Sequence, residues 1–167
     1  MTDQIAFLLA ESGIRQLYGR YADAVWRQDL DAFSNCFTED ATWKIAGMVW
    51  RGRAEIVSFF ASTVEFSERV MMRVGIPVVG LSEGGVTART QVTELIKRRD
   101  GTSQRTLAVY YDRFAEMDGV WRFQWHHFNL YYLGPPDLSG PYMEAMEYGP
   151  PPAFPGPDDP TPALPSR

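Results

Sequence analysis

Only two side chains in this sequence titrate near neutrality without a perturbing environment, and they are neighbours, His126 and His127. Adjacent strand residues point to opposite faces, so one of the two at most can enter a cavity on a given side of a sheet, as general base or acid. Tyr21, on what reads as a buried helix face, offers a hydroxyl that can donate a proton or a hydrogen bond to a substrate oxygen. Gln91 and Glu94 lie on one strand with opposite orientations, and either can add a polar group to an otherwise apolar cavity. Asp112 precedes Arg113 and reads as an acid paired with an arginine or a backbone donor. Trp26, Trp43, Tyr110 and Phe128 stand on segments that can line a cavity, and such a wall suits a flat, hydrophobic substrate. The chain has no phosphate-binding glycine loop, no His-Glu-x-x-His and no nucleophile elbow, so neither a nucleotide, a flavin nor a metal is expected.

The elements that must hold these groups follow from periodicity. Ile14, Leu17, Tyr18, Tyr21, Ala22 and Val25 recur at helical spacing and predict one long amphipathic helix. Asp29 and Asp31 ahead of Leu30, Phe33 and Phe37 predict a second, short helix closed by Thr38-Glu39-Asp40. Ala41 to Ile45 reads as a strand, Gly47 and Gly52 as turns, and Ile56, Phe59 and Phe60 as the stripe of a third helix. From Arg69 the period becomes two, with strands over about Arg69 to Val74, Val86 to Lys97, Gln104 to Ala115 and Val120 to Tyr132. Asp100-Gly101 and Asp118-Gly119 are tight-turn signals between antiparallel strands. Helices before a run of long strands predict an α+β fold, a cone-shaped, mostly antiparallel sheet wrapped around the N-terminal helices and enclosing a hydrophobic cavity.

At 167 residues and 45% hydrophobic content the chain is sized for one such domain. A net charge of -5, with only Lys44 and Lys97 as lysines, argues against nucleic acid as a partner. The lone cysteine, Cys36, permits no internal disulfide and fits a reducing compartment, and no apolar run suggests a membrane segment, so a cytoplasmic location is expected. Of 12 prolines only Pro77 precedes Pro135, which divides a cone domain, 1–133, from a Pro-rich extension, 134–167. Its end, Gly149 to Arg167, reads as flexible or loosely packed, whereas Tyr142, Met143, Met146 and Tyr148 are expected to dock as a lid over the cavity mouth or against a partner chain.

Several runs carry a family resemblance. Ile14-Arg15-Gln16-Leu17-Tyr18-Gly19-Arg20-Tyr21-Ala22-Asp23-Ala24, Asp29-Leu30-Asp31 and Phe37-Thr38-Glu39-Asp40-Ala41-Thr42-Trp43 resemble the opening of the SnoaL-like family, within the nuclear-transport-factor-2-like superfamily. Tyr110-Tyr111-Asp112-Arg113-Phe114 and Asp118-Gly119-Val120-Trp121-Arg122-Phe123 resemble its closing part, and the likeness covers about residues 5 to 133. The resemblance implies the cone fold and a choice among dehydratases, isomerases, polyketide cyclases, oxygenase small subunits and noncatalytic binders. Its dehydratases use a helix tyrosine, an aspartate about five residues later and a strand histidine. Tyr21 matches the tyrosine, while Trp26 and Met72 stand where the acid and the histidine would be. The Asp–His pair is therefore expected to be missing, with Met72 left as a wall residue. Parity against those dehydratases, counted from Trp121, gives His126 the inward place, unless a bulge hands it to His127. The resulting expectation is a cofactor-independent lyase (dehydration or retro-aldol cleavage) or isomerase using acid–base chemistry on an aromatic, lignin-derived, steroid or polyketide substrate. The alternative is a noncatalytic partner such as the small subunit of an aromatic-ring hydroxylating dioxygenase. A dimer or trimer of identical chains is expected.

Overall fold

The predicted helical stripe is the buried side of the first element. Ile14, Leu17, Tyr18, Tyr21 and Val25 all lose their solvent on one face of α1 (Thr2–Arg27). The structure, a computed structural model, describes residues 2–82 and 84–164. Asp29 caps α2 (Leu30–Ser34) by accepting from the Ala32 amide at 2.9 Å. The helix ends sooner than its spacing suggests: Phe37 opens β1 (Phe37–Ile45), and Thr38, Glu39 and Asp40 lie inside that strand. The reason is long-range pairing, because the Phe123 amide donates to the Cys36 carbonyl at 2.8 Å and β1 then runs parallel to the last strand. Ala46 and Gly47, at φ of 53° and 78°, turn β1 into β2 (Met48–Arg51), a strand the sequence reading omits.

After α3 (Arg53–Phe66) come β3 (Ser67–Val74), β4 (Val78–Ser82), β5 (Gly85–Arg98), β6 (Ser103–Met117) and β7 (Val120–Gly134). The short β4 is also absent from the sequence reading. Asp118 and Gly119, both at positive φ, form the two-residue turn that pairs Met117 with Val120. The strand order is β2-β1-β7-β6-β5-β3, with β4 also on β5, and among the described residues only β1 and β7 run parallel. The fold is therefore α+β: a curved, unclosed, mostly antiparallel sheet whose concave face takes the helices. Where the two layers meet, the core is aromatic, with Phe33 stacked on Phe60 at 3.9 Å and Tyr21 edge-on to Phe37 and Phe123. Each such ring is worth about 1.5–3 kcal/mol of transfer free energy. Among the described residues no helix is long and apolar enough to cross a membrane.

The proline-rich extension is not loose as far as Leu164. It runs as a strap along the convex sheet face, where the Met143 amide donates to Tyr131 O at 2.8 Å and Asn129 Nδ2 donates to Met146 O at 2.9 Å. Tyr148 and Phe154 set their edges against Tyr111, and Arg113 Nη2 reaches Pro155 O. Lys44 Nζ donates to the carbonyls of Pro157 and Asp159, and Thr161 Oγ1 accepts from the Gly47 amide at 2.9 Å. Tyr148 thus faces the outer side of its own sheet, Met143 packs against the hydrophobic core and neither lines the cavity mouth, while Tyr142 and Met146 stay mostly exposed. Backbone carbonyls, which composition does not reveal, hold the strap in place.

Candidate active site

Between α1, α3 and the concave sheet face lies a chamber of about 140 Å³ whose walls include Tyr21, Trp43, Phe60, Met72, Glu94, Tyr110 and Phe128. It continues into a mouth of about 280 Å³ that shares Ile45, Phe59, Glu94, Ile96 and Phe128 and adds Met48, Phe66, Arg98, Leu133 and Leu164. A narrow apolar pocket leading to a few polar groups is the form that small-molecule sites take. Glu94 stands where chamber and mouth join. It arrives there because alternation along β5 turns Glu94 inward and leaves Gln91 exposed on the other face.

Burial pushes the Glu94 carboxyl up from its ordinary 4.5 to about 7, against a hydrogen bond from Thr106 that pulls it down. It is half-buried by surface, yet protein walls surround it. The phenols of Tyr21 and Tyr110 sit well above their ordinary range, chiefly through burial. Glu94 adds to both shifts, and the two hydroxyls hydrogen-bond each other. Tyr110 also reaches the Met72 sulfur at 4.0 Å. The chamber therefore holds one carboxyl poised at neutral pH and two hydroxyls that stay protonated as donors.

An Asp–His pair exists after all, built from two sheet strands instead of the helix and strand of the family's dehydratases. Asp112 and His126 are direct partners across β6 and β7, and His126 Nδ1 lies 2.5 Å from Asp112 Oδ1. The Tyr18 hydroxyl donates to Asp112 Oδ2, which corrects the expected arginine or backbone partner. All three side chains are buried. His126 Nε2 has no hydrogen-bond partner among the described residues, and its ring lies 4.3 Å from Tyr110, 5.5 Å from Tyr21 and 5.6 Å from Trp43. The imidazole is thus one side chain behind the chamber wall, fixed in tautomer and orientation by Asp112.

The remaining candidates lie elsewhere. His127 points to the convex face, stacked on Trp125 and covered by Tyr148 of the strap; burial first, then the charge of Lys44, hold its imidazole down at about 4. Trp26 is 44% exposed beneath Arg69 on the solvent side of α1 and lines neither the chamber nor its mouth. Gln91 likewise faces outward and cannot touch a chamber ligand. The sequence reading missed Asp112 and His126 as one unit because a bulge between Arg113 and Phe114 shifts the register. Counting back from the Asp118-Gly119 turn without it puts Asp112 opposite Trp125. Among the described residues no three His, Cys, Asp or Glu side chains converge as metal ligands would.

With this geometry established, comparisons with known proteins place the chain. Among solved structures, a protein from Novosphingobium aromaticivorans described as a scytalone dehydratase superposes with a TM-score of 0.73 at 15% identity, covering 80% of this chain and 90% of its own. A protein of the same organism described as an aromatic ring hydroxylase gives a TM-score of 0.69 at 24% identity, over 76% of this chain and 94% of that one. Hexachlorocyclohexane dehydrochlorinase LinA-type3 from Novosphingobium barchaimii gives 0.70 at 17% identity, over 89% and 99%. At these identities the likeness shows the fold. No curated protein matches the sequence. The model of the SnoaL-like domain matches residues 6–126, and the chain belongs to that family.

Proposed function

We propose that this protein is a cofactor-independent lyase or isomerase that moves a proton on a hydrophobic, ring-bearing substrate, with Glu94 as the proton acceptor and Tyr21 and Tyr110 as hydrogen-bond donors. The observation that carries this reading is the placement of Glu94: a carboxyl titrating near neutrality, walled by apolar side chains, sharing a chamber with two protonated phenols. Glu94 takes the proton from a carbon next to a carbonyl, and the electron pair moves onto the carbonyl oxygen, where the phenols meet it. The lyase outcome expels a β-hydroxyl as water with the proton that Glu94 holds, and the isomerase outcome returns that proton to another carbon. Retro-aldol cleavage uses the same groups, with Glu94 drawing the proton from the β-hydroxyl. Asp112, Tyr18 and His126 are positioning residues that back the wall behind Tyr110 and Tyr21.

Enzymes that share this first step can be assayed without knowing the natural substrate. Exchange of the α-protons of 2-tetralone in D₂O, followed by NMR, reads proton abstraction irrespective of what leaves. The protein should accelerate it, Glu94→Gln should lower the rate by about 10²–10⁴, and Tyr21→Phe should lower it by about 10². An unaccelerated exchange, or one indifferent to Glu94→Gln, would sink the proposal. A noncatalytic oxygenase subunit has no use for such a carboxyl, and it should co-purify with an iron-containing partner.

A further inference from the structure

The mouth of the cavity carries a cation that the proton-transfer reading does not use. Along β5 the inward alternation places Glu94, Ile96 and Arg98 on one wall, from the chamber junction to the mouth. Four residues of strand separate the first and last by about 13 Å between Cα atoms. Arg98 Nε and Nη2 both donate to Gln104 Oε1, at 2.8 and 2.5 Å. This neutral partner fixes the guanidinium plane without cancelling its charge, and the end-on edge at Nη1 has no acceptor among the described residues. Nor does Arg98 form an ion pair with any described carboxylate. Asp100, in the turn beyond, feels its charge but is committed to the Thr102 amide and hydroxyl. The mouth is mostly apolar, with Met48, Phe66, Leu133 and Leu164 beside Thr63, Ser67, Thr106 and, at its inner end, Glu94, and a charge in such a setting is screened less than on an open surface.

We infer that Arg98 is a specificity residue and that the substrate is amphipathic: its ring body fills the chamber, and an anionic group, a carboxylate or phenolate, at the opposite end is held by the guanidinium. The direction is set at both ends. Glu94, ionised above neutrality, repels an anion from the chamber, whereas Arg98 attracts one at the mouth, so a ring compound with one charged end enters reacting end first. This inference rests on the chamber being the reaction site, as proposed above.

Two fluorescent probes with a shared ring skeleton separate charge from shape: anionic 8-anilino-1-naphthalenesulfonate and neutral N-phenyl-1-naphthylamine, titrated against the full chain. Wild type should prefer the anion. Arg98→Gln should raise the Kd of the anionic probe by about tenfold or more while changing that of the neutral probe less than about twofold. Arg98→Lys, which keeps the charge and loses the planar fork, should fall between, and Ile96→Trp, which fills the passage, should weaken both probes. The inference is overturned if wild type shows no anion preference, if Arg98→Gln affects both probes alike or neither, or if Ile96→Trp leaves both unchanged. An anion preference lost in Arg98→Gln, together with no exchange of 2-tetralone protons, would retain Arg98 as the anion site and remove the catalytic reading.

Discussion

Replacing Glu94 with glutamine should make the protein more stable at alkaline pH. In the folded state the carboxyl titrates near 7 instead of 4.5, so the fold favours its protonated form. A raised folded value means that this contribution is fully present below about 4.5 and is lost as pH rises through about 7. The shift corresponds to about 3 kcal/mol at most. Because the side chain keeps some surface toward the cavity, about 2 kcal/mol is the better expectation. Glutamine has nearly the same shape and cannot ionise. Urea unfolding of both proteins should therefore give equal stabilities near pH 4.5, with Glu94→Gln ahead by about 2 kcal/mol at about pH 8. A variant that is less stable at the higher pH, or whose advantage does not change with pH, would refute the claim that the chamber strains an ionised carboxyl. Activity lost together with stability gained is the signature of a group kept for chemistry.

Truncation after Pro152 removes Phe154 and Thr161 and leaves the Lys44 ammonium without its carbonyls, so thermal and urea unfolding should show a loss of about 3 kcal/mol or more. Tyr18→Phe deletes the buried donor to Asp112 and should cost about 1–3 kcal/mol in the same assay, with 2-tetralone exchange slowed less than by Tyr21→Phe. His127 is held neutral with its value lowered from 6.5 to about 4, so its contribution is full above 6.5 and drains away as pH falls toward 4. His127→Phe should flatten that acid limb of the stability curve.

What the sequence makes legible is local. The α1 stripe follows from spacing alone, and the Asp118-Gly119 turn follows from the positive φ that both residues adopt. Phe37 misleads because helical spacing continues past Ser34 while the parallel partner that captures this segment, β7, lies some 86 positions away at Phe123. Trp26 misleads because a family position is not a direction: one step beyond Val25, the α1 face has already turned to solvent. The Asp112–His126 pair depends on a single bulged residue, and bulges leave no dependable mark in composition. Glu94 is legible as one of two alternating strand residues, but its role comes from what surrounds it.

The most direct measurement of the central claim is the pH dependence of 2-tetralone proton exchange between about pH 5 and pH 9, in wild type and in Glu94→Gln. The rate in wild type should climb as the carboxyl ionises, with its midpoint near 7, and that limb should vanish in the variant. A limb that persists in Glu94→Gln would contradict Glu94 as the proton acceptor and move the role to the unpaired Nε2 of His126.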